Sequence, residues 1–328
     1  MLHEIAQAKR RFGLPESAPV VSCYEAGREG CWLHRFWQAQ GLINHVVDSS
    51  SIAVNRRKRR ATSDALDVRK LLSMLMRYHH GERHVWQVVK VPAVEAEDHR
   101  HLHRDWETLK QERASTMTRI EGLLSSQGLR VTSLTKLPEQ LDALRLWDGS
   151  PIPLGLRRRL LRVYAQYTFL SEQIAAVEAE RRALLQTSPE ASIDKVRQLM
   201  QLKGIGINGA WLLVMEFFGW RAFKNRREVG GLAGFTPTPY QSGESAREQG
   251  ITKSGNRHVR WMTTELAWSW LRFQPDSTLS CWFRQRFGSG GKRLRRIGIV
   301  AVARKLLIAL WRFLETGVIP AGAVLKEG

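Results

Sequence analysis

The chain has 328 residues, 43% of them hydrophobic, enough to bury a substantial core spread over two or three domains. Lys and Arg number 51 against 31 Asp and Glu, and a formal charge of +20 calls for a polyanionic partner, which nucleic acid fits best. A membrane surface is the weaker alternative, because no uninterrupted apolar run is long enough to span a bilayer and the most apolar C-terminal stretch is broken by Arg304, Lys305 and Arg312.

In chain order, residues 1–18 read as the end of an amphipathic helix and a loop through Gly13-Leu14-Pro15. The N-terminus lacks an apolar signal core, and Cys23, Cys31 and Cys281 lack the pairing of a zinc knuckle or disulfide frame, so they read as reduced, cytosolic thiols. Ala18 to Gly27 is an apolar run bounded by Pro and Gly, the pattern of a buried, parallel strand, with Glu25 at its C-terminal end. A helix follows with Trp32, Leu33, Phe36 and Trp37 on its apolar side, then a second strand, Leu42 to Val47, ending at Asp48, which reads as the cap of a short turn or helix over Ser49-Ser50-Ser51. This rhythm argues for a parallel α/β sheet, whose ligands sit at the carboxyl ends of the strands.

The run Arg56-Arg57-Lys58-Arg59-Arg60 passes without a linker into Thr62-Ser63-Asp64-Ala65-Leu66-Asp67. Thr62 or Ser63 serves as N-cap, so Asp64 and Asp67 share one helix face in the first turn, where the helix dipole tolerates negative charge. Such acids can be plain helix stabilisers. Here, cations able to hold phosphates lie beside carboxylates able to hold a hard divalent ion, the composition of a metal-dependent phosphodiester site. Glu25 converges on it or simply caps the next helix, and Asp48 competes for that role.

After a short extended segment, His84 to Pro92, residues 94–128 and 153–187 are long charged helices. Leu102, Trp106, Leu109, Met117, Ile120 and Leu124 line one, and Leu160, Val163, Tyr167, Leu170, Ile174 and Val177 the other, predicting an antiparallel, coiled-coil-like hairpin. His99, His101 and His103 turn to different faces and read as solvated. Beyond Ser192, the run Leu202-Lys203-Gly204-Ile205-Gly206 resembles the turn of a helix-hairpin-helix whose amides hold a phosphate. Ser242 lies on a constrained loop between a Pro-rich turn and a glycine. Lys253-Ser254-Gly255-Asn256-Arg257, with Arg260, opens a mostly buried helix carrying Trp261, Leu266, Trp268 and Trp270. The last helix, Lys292 to about Thr316, starts with Lys292, Arg293, Arg295 and Arg296, cations that oppose its dipole and so point to a phosphate partner.

These residues bring the chain to a family. Glu25 in Tyr-Glu-Ala-Gly, Thr-Ser-Asp-Ala-Leu-Asp at 62–67, and the C-terminal block of Gly-Ile-Gly, Gly-Phe-Thr-Pro, Tyr-Gln-Ser-Gly and Lys-Ser-Gly-Asn-Arg resemble the DEDD transposases of bacterial insertion sequences, the group with Piv-type invertases and bridge-RNA-guided serine recombinases. The resemblance implies an α/β plus all-α fold: a partial RuvC-like (RNase H-like) domain over 1–92, a coiled-coil insert over 93–190, and a mainly helical transposase domain over 191–328. It implies Glu25, Asp64 and Asp67 as the second, third and fourth acids binding Mg²⁺, two ions in all, and Ser242 as the nucleophile. Arg56, Arg57, Lys58, Arg59, Arg60, Lys203, Gly204, Gly206, Lys253, Arg257, Arg260, Lys292, Arg293, Arg295 and Arg296 are the expected nucleic-acid contacts. Expected partners are element-end and target DNA, a structured guide RNA and further copies in a dimer or tetramer, in a bacterial cytoplasm at the nucleoid. The family's first aspartate lies on an opening Gly-(Ile/Leu)-Asp-(Val/Ile) strand, and none of the 24 residues ahead of Glu25 fits it, so the sequence reads as starting inside that domain. The rival expectation is a truncated relative that binds nucleic acid without cutting it.

Overall fold

The computed structural model describes residues 1–27, 30–52, 63–242 and 245–327, and they form two compact units, Met1–Ala93 and Val94–Gly328. The cationic run Arg56 to Arg60 and Thr62 lie outside the described residues.

In the first unit, α1 (Leu2–Arg11) precedes β1 (Val21–Glu25), α2 (Trp32–Ala39) and β2 (Ile43–Val47). β1 and β2 pair in parallel with Val21 opposite Ile43 and Glu25 opposite Val47, as the Val-rich runs predict. Beside them, α3 (Asp64–His79) packs Met74 and Leu75 with Val47, Ile52, Val85 and Trp86 into a small core. Burial pushes the Cys23 thiol up to about 11, keeping it protonated and inert. One expectation changes here. Trp32 is exposed, and Trp37 alone on α2 is fully buried. The short extended segment from His84 joins β2 through a bridge between Val88 and Val47, flanked by the bonds Val89 N–H to Val46 O and Asp48 N–H to Gln87 O.

The second unit begins with α4 (Val94–Ser125), passes a loop containing the short helix α5 (Leu137–Leu141), and returns along α6 (Leu154–Thr187). Trp106 meets Glu178 near one end, while Ile120 and Leu124 pack with Leu156, Leu160 and Val163 near the other, so the two helices run antiparallel. Then come α7 (Ala191–Met200), α8 (Ile207–Leu213), a π-helical turn over Val214–Phe218, and α9 (Arg226–Leu232). An antiparallel hairpin, β3 (Pro237–Ser242) and β4 (Ser245–Ile251), leads to α10 (Arg257–Phe273), α11 (Thr278–Phe287) and α12 (Lys292–Thr316). Their apolar faces close one large core around Trp211, Phe217, Phe218, Phe235, Trp270 and Leu306. No helix among the described residues is long and apolar enough to cross a membrane.

The helix pair is rooted in this core by a buried cation. Arg181 of α6 is 1% exposed, its guanidinium 5.4 Å from the Trp106 ring centre and 5.0 Å from that of Trp211, so three helices meet on one side chain. Both indoles are held in turn, Trp106 donating to Glu178 Oε1 (2.9 Å) and Trp211 to the His99 carbonyl (3.0 Å). Burial lowers the Arg181 pKa to about 10, partly offset by Glu178, so it stays charged at neutral pH. Nε and Nη2 have no hydrogen-bond partner among the described residues, so the two aromatic faces carry the stabilisation. Arg181→Ala, which leaves a cavity between the indoles, should cost about 3 kcal/mol in urea unfolding. Arg181→Met, which fills it without a buried charge, should stay within about 1 kcal/mol of the parent; an equal loss in both variants would show that charge, not volume, holds the joint.

Candidate functional site

Ser63 is the N-cap of α3, its side chain accepting from the Leu66 N–H at 3.4 Å, and this puts Asp64 and Asp67 in the first turn as their spacing predicts. Both acids are exposed, as is Glu25 at the end of β1. Asp48 precedes the 3₁₀ turn Ser49–Ser51, its backbone carbonyl accepting from Ser51 N–H (2.9 Å) and Ser51 Oγ (2.6 Å). Among the described residues no three His, Cys, Asp or Glu side chains form a group that could hold a metal, so Glu25, Asp64 and Asp67 are not a preassembled triad. Asp64 and Asp67 alone remain a donor set suited to Mg²⁺, which is usually held by one or two carboxylates together with waters and substrate phosphates.

In the second unit, Ser242 is the last residue of β3, opposite Ser245, at the end of a hairpin. The sequence reading of a loop missed this hairpin because Pro237 and Pro239 suppress the strand signal, and the ladder is irregular between those prolines. The base of the hairpin is tightly specified. Thr252 N–H donates to Thr236 O, Lys253 N–H to Gly234 O and Asn256 N–H to Leu232 O, which extends the ladder down to α9. Gly234 (φ +74°), Lys253 (φ +55°) and Gly255 (φ +109°) take the left-handed region, and a Cβ on Gly255 would lie 2.2 Å from Leu232 O. That is why position 255 is glycine.

Asn256 ties the base to a buried carboxylate. Its Oδ1 caps α10 by accepting from His258 N–H and Val259 N–H, and its Nδ2 donates to Glu216 Oε2 at 2.9 Å. Glu216, 3% exposed in the π turn, also receives Arg104 of α4 through Nε (2.8 Å) and Nη2 (3.2 Å). Burial pushes the Glu216 carboxyl up, but the Arg104 hydrogen bonds and charge, the Asn256 amide and the Arg100 charge outweigh it and hold the group below its ordinary 4.5. Sequence reading passed over Glu216, although an acid inside Leu-Leu-Val-Met-Glu-Phe-Phe signals a buried, paired carboxylate.

The histidines overturn another expectation. His99 and His103, four apart on α4, share one face and are buried, while His101 alone is solvated. His99 Nδ1 lies 3.4 Å from Glu190, and Glu107 lies between His103 (3.7 Å) and His258 (3.4 Å). The proximity of His103 leads the effects that lower the Glu107 pKa against burial.

The expected nucleic-acid contacts divide by environment. Lys203, Lys253, Arg257, Lys292, Arg293, Arg295 and Arg296 are exposed. Arg260 is partly spent inside the fold, donating to Ala233 O at 3.2 Å. At the helix-turn-helix, Gly204 takes φ +91° and its carbonyl accepts from Ser269, Lys203 N–H donates to Val324 O, and Gly206 is the N-cap of α8. Lys292, Arg295 and Arg296 line a cavity of about 530 Å³ with Gly290, Gly291 and the half-exposed indole of Trp268. Trp268 and Trp261 therefore depart from the expectation of a mostly buried helix.

Residues 196–280, from α7 into α11 and including the hairpin and its base, match the sequence model described as Transposase IS116/IS110/IS902 family. A protein of Sinorhizobium fredii (strain NBRC 101917 / NGR234) assigned as transposase y4rJ is 41% identical over 342 residues, covering 99% of this chain and 85% of that protein. The chain belongs to the IS116/IS110/IS902 transposase family. The transposase for insertion sequence element IS1328 of Yersinia enterocolitica is 25% identical over 166 residues, covering 51% of this chain and 48% of that protein. Membership makes DNA the partner that the +20 charge anticipates.

In this insertion-sequence transposase, Glu216→Gln should lower stability by about 2 kcal/mol at pH 7, because the neutral amide gives up the charge-assisted bonds to Arg104. The folded-state pKa of Glu216 is depressed, so its contribution is complete above 4.5 and is lost as pH falls through the folded value. The gap between parent and variant in thermal unfolding should therefore close below that value; a constant gap would deny the carboxylate its ionic role.

Proposed function

We propose that this family member cleaves and rejoins DNA at the ends of its mobile element through a covalent linkage to Ser242. The observation that carries the proposal is the position of Ser242 at the end of a hairpin whose base is fixed by Glu216, Arg104 and Asn256 and flanked by the exposed cations Lys253 and Arg257. In the step itself the Ser242 oxygen bonds to phosphorus, the bond from phosphorus to the leaving DNA oxygen breaks, and the hydroxyl proton ends on that leaving oxygen. One phosphoester replaces another, so the energy for rejoining is kept in the protein–DNA bond. Lys203, Lys292, Arg293, Arg295 and Arg296 hold DNA backbone without reading sequence, and Arg56 to Arg60 take the same role in the first unit. With Mg²⁺ bound, Asp64 and Asp67 would hold the ion, which would draw charge from the scissile phosphate; the family resemblance adds Glu25 as a further acid.

The wider proposal follows the family resemblance: a RuvC-like first unit, a coiled-coil helix pair, a dimer or tetramer for strand exchange, and a guide RNA that supplies target sequence by base pairing while the protein reads backbone and shape. A binding protein without cleavage is the second reading, favoured by the lack of a three-acid group among the described residues.

The test is a denaturing gel with labelled element-junction DNA and Mg²⁺. The parent should give a covalent adduct, Ser242→Ala should give none, and both should bind the DNA within about twofold of each other, since one hydroxyl contributes little to backbone affinity. An undiminished adduct from Ser242→Ala sinks the assignment, and tight binding with no adduct from the parent selects the second reading.

A further inference from the structure

The loop between α5 and α6 makes a small, well-ordered turn. Arg145 bridges Pro151, Leu146 N–H donates to Ser150 O at 2.8 Å, and Gly149 N–H returns to Leu146 O at 3.0 Å with Gly149 at φ +81°. Asp148 Oδ1 accepts from Ser150 N–H (3.0 Å) and from Ser150 Oγ (2.6 Å). From below, Leu144 and Leu146 pack on Leu137, Leu141, Ile152 and Leu156. All this order serves to hold out one residue, Trp147, which is 92% exposed, whereas the other exposed tryptophans, Trp32, Trp261 and Trp268, lie between 43% and 54%.

An indole left in water forgoes a large burial gain, and a contact made from a backbone turn already in place loses little main-chain freedom on binding. The surroundings define the chemistry of that contact. Residues 128–162 carry seven Lys and Arg against Glu139, Asp142 and Asp148. Asp142 is paired with Arg157 at 2.8 Å, and Asp148 is engaged by Ser150. Arg158 and Arg162, one helical turn apart on α6, are exposed on the face opposite the buried Leu156, Leu160 and Val163, with exposed Arg159 beside them. An exposed aromatic ring at the same end of the helix pair as these guanidiniums suits a nucleic-acid strand whose bases are free to stack, and a duplex offers no such base faces along its length.

We infer that the distal end of the helix pair is a binding site for unpaired nucleotides, with Trp147 as the stacking ring and Arg158, Arg159 and Arg162 as the phosphate contacts. The inference rests on the DNA-handling reading for the choice of polymer, and its chemistry is shared by a single DNA strand and by an RNA loop.

The experiment measures affinity of the full chain for labelled oligo(dT), oligo(rU) and a DNA duplex of equal length. Trp147→Ala should weaken binding of at least one single strand about tenfold while changing duplex binding less than about twofold, and Trp147→Phe should restore most of the loss. The strand that loses more identifies the source as DNA or RNA. Combining Arg158→Gln with Arg162→Gln should reduce the slope of log affinity against log salt by roughly 1 to 2. Unchanged single-strand affinity in Trp147→Ala overturns the site, as does an equal loss on duplex. A change in sedimentation from oligomer to monomer with nucleic-acid affinity intact also overturns it and assigns the end to a second copy. A parent chain that binds none of the three probes overturns the DNA reading itself, whereas parent binding with an indifferent Trp147→Ala overturns the stacking site alone.

Discussion

The architecture of the second unit depends on one buried guanidinium. Arg181 stands between the rings of Trp106 and Trp211, so α4, α6 and α8 cannot be separated without exposing two indoles and losing both cation–ring contacts. Arginine suits this position because its planar, weakly hydrated head can lie against aromatic faces, where an ammonium group would demand water or several acceptors. The neighbouring hydrogen bonds serve the same joint, fixing each indole through its N–H. The long helices are consequently an outgrowth of the C-terminal core. The contact division at Ala93 and Val94 agrees, since the whole of Val94–Gly328 forms one unit.

A second polar joint lies two residues from the first along α4. Arg104 reaches Glu216 in the π turn, and Glu216 reaches Asn256 at the foot of the hairpin. The π geometry, in which Gly219 N–H returns to Val214 O, inserts an extra residue into the helix, a distortion that tends to persist where a side chain must be aimed. Asn256 divides its amide between two duties, its oxygen capping α10 and its nitrogen closing the network. An aspartate there would keep the cap but confront Glu216 with a like charge, so the residue type follows from the pairing.

Much of this was legible in the sequence because it rests on local rules. Two strands and the intervening helix followed from Val-rich runs and glycines, Ser63 and the acids of α3 from capping, and the helix pair from apolar steps of three and four. What escaped depends on tertiary partners. His99 and His103 were judged by their immediate neighbours, although the i, i+4 relation puts them on one face and the core behind α4 buries them. The β3–β4 hairpin escaped because prolines and polar residues hide a strand whose register is set from below, by the Gly234 and Gly255 close approaches. Glu25, Asp64 and Asp67 were visible as chemistry, but convergence of side chains is a property of three-dimensional placement, and spacing along a chain cannot supply it.

The two joints and the Trp147 turn lie on the same pair of rods. At 1.5 Å per residue, the stretch of α4 from Arg104 to Ser125 spans about 30 Å, so a tilt of about 10° at the root sweeps the far end through roughly 5 Å. That is close to one helical pitch, or more than the spacing between stacked bases. A displacement felt at the distal turn therefore arrives at Arg104 as a small change of angle against Glu216, reduced in amplitude and increased in force. The ion pair at the root stands where a lever would have its fulcrum, with the base of the serine hairpin on its short arm.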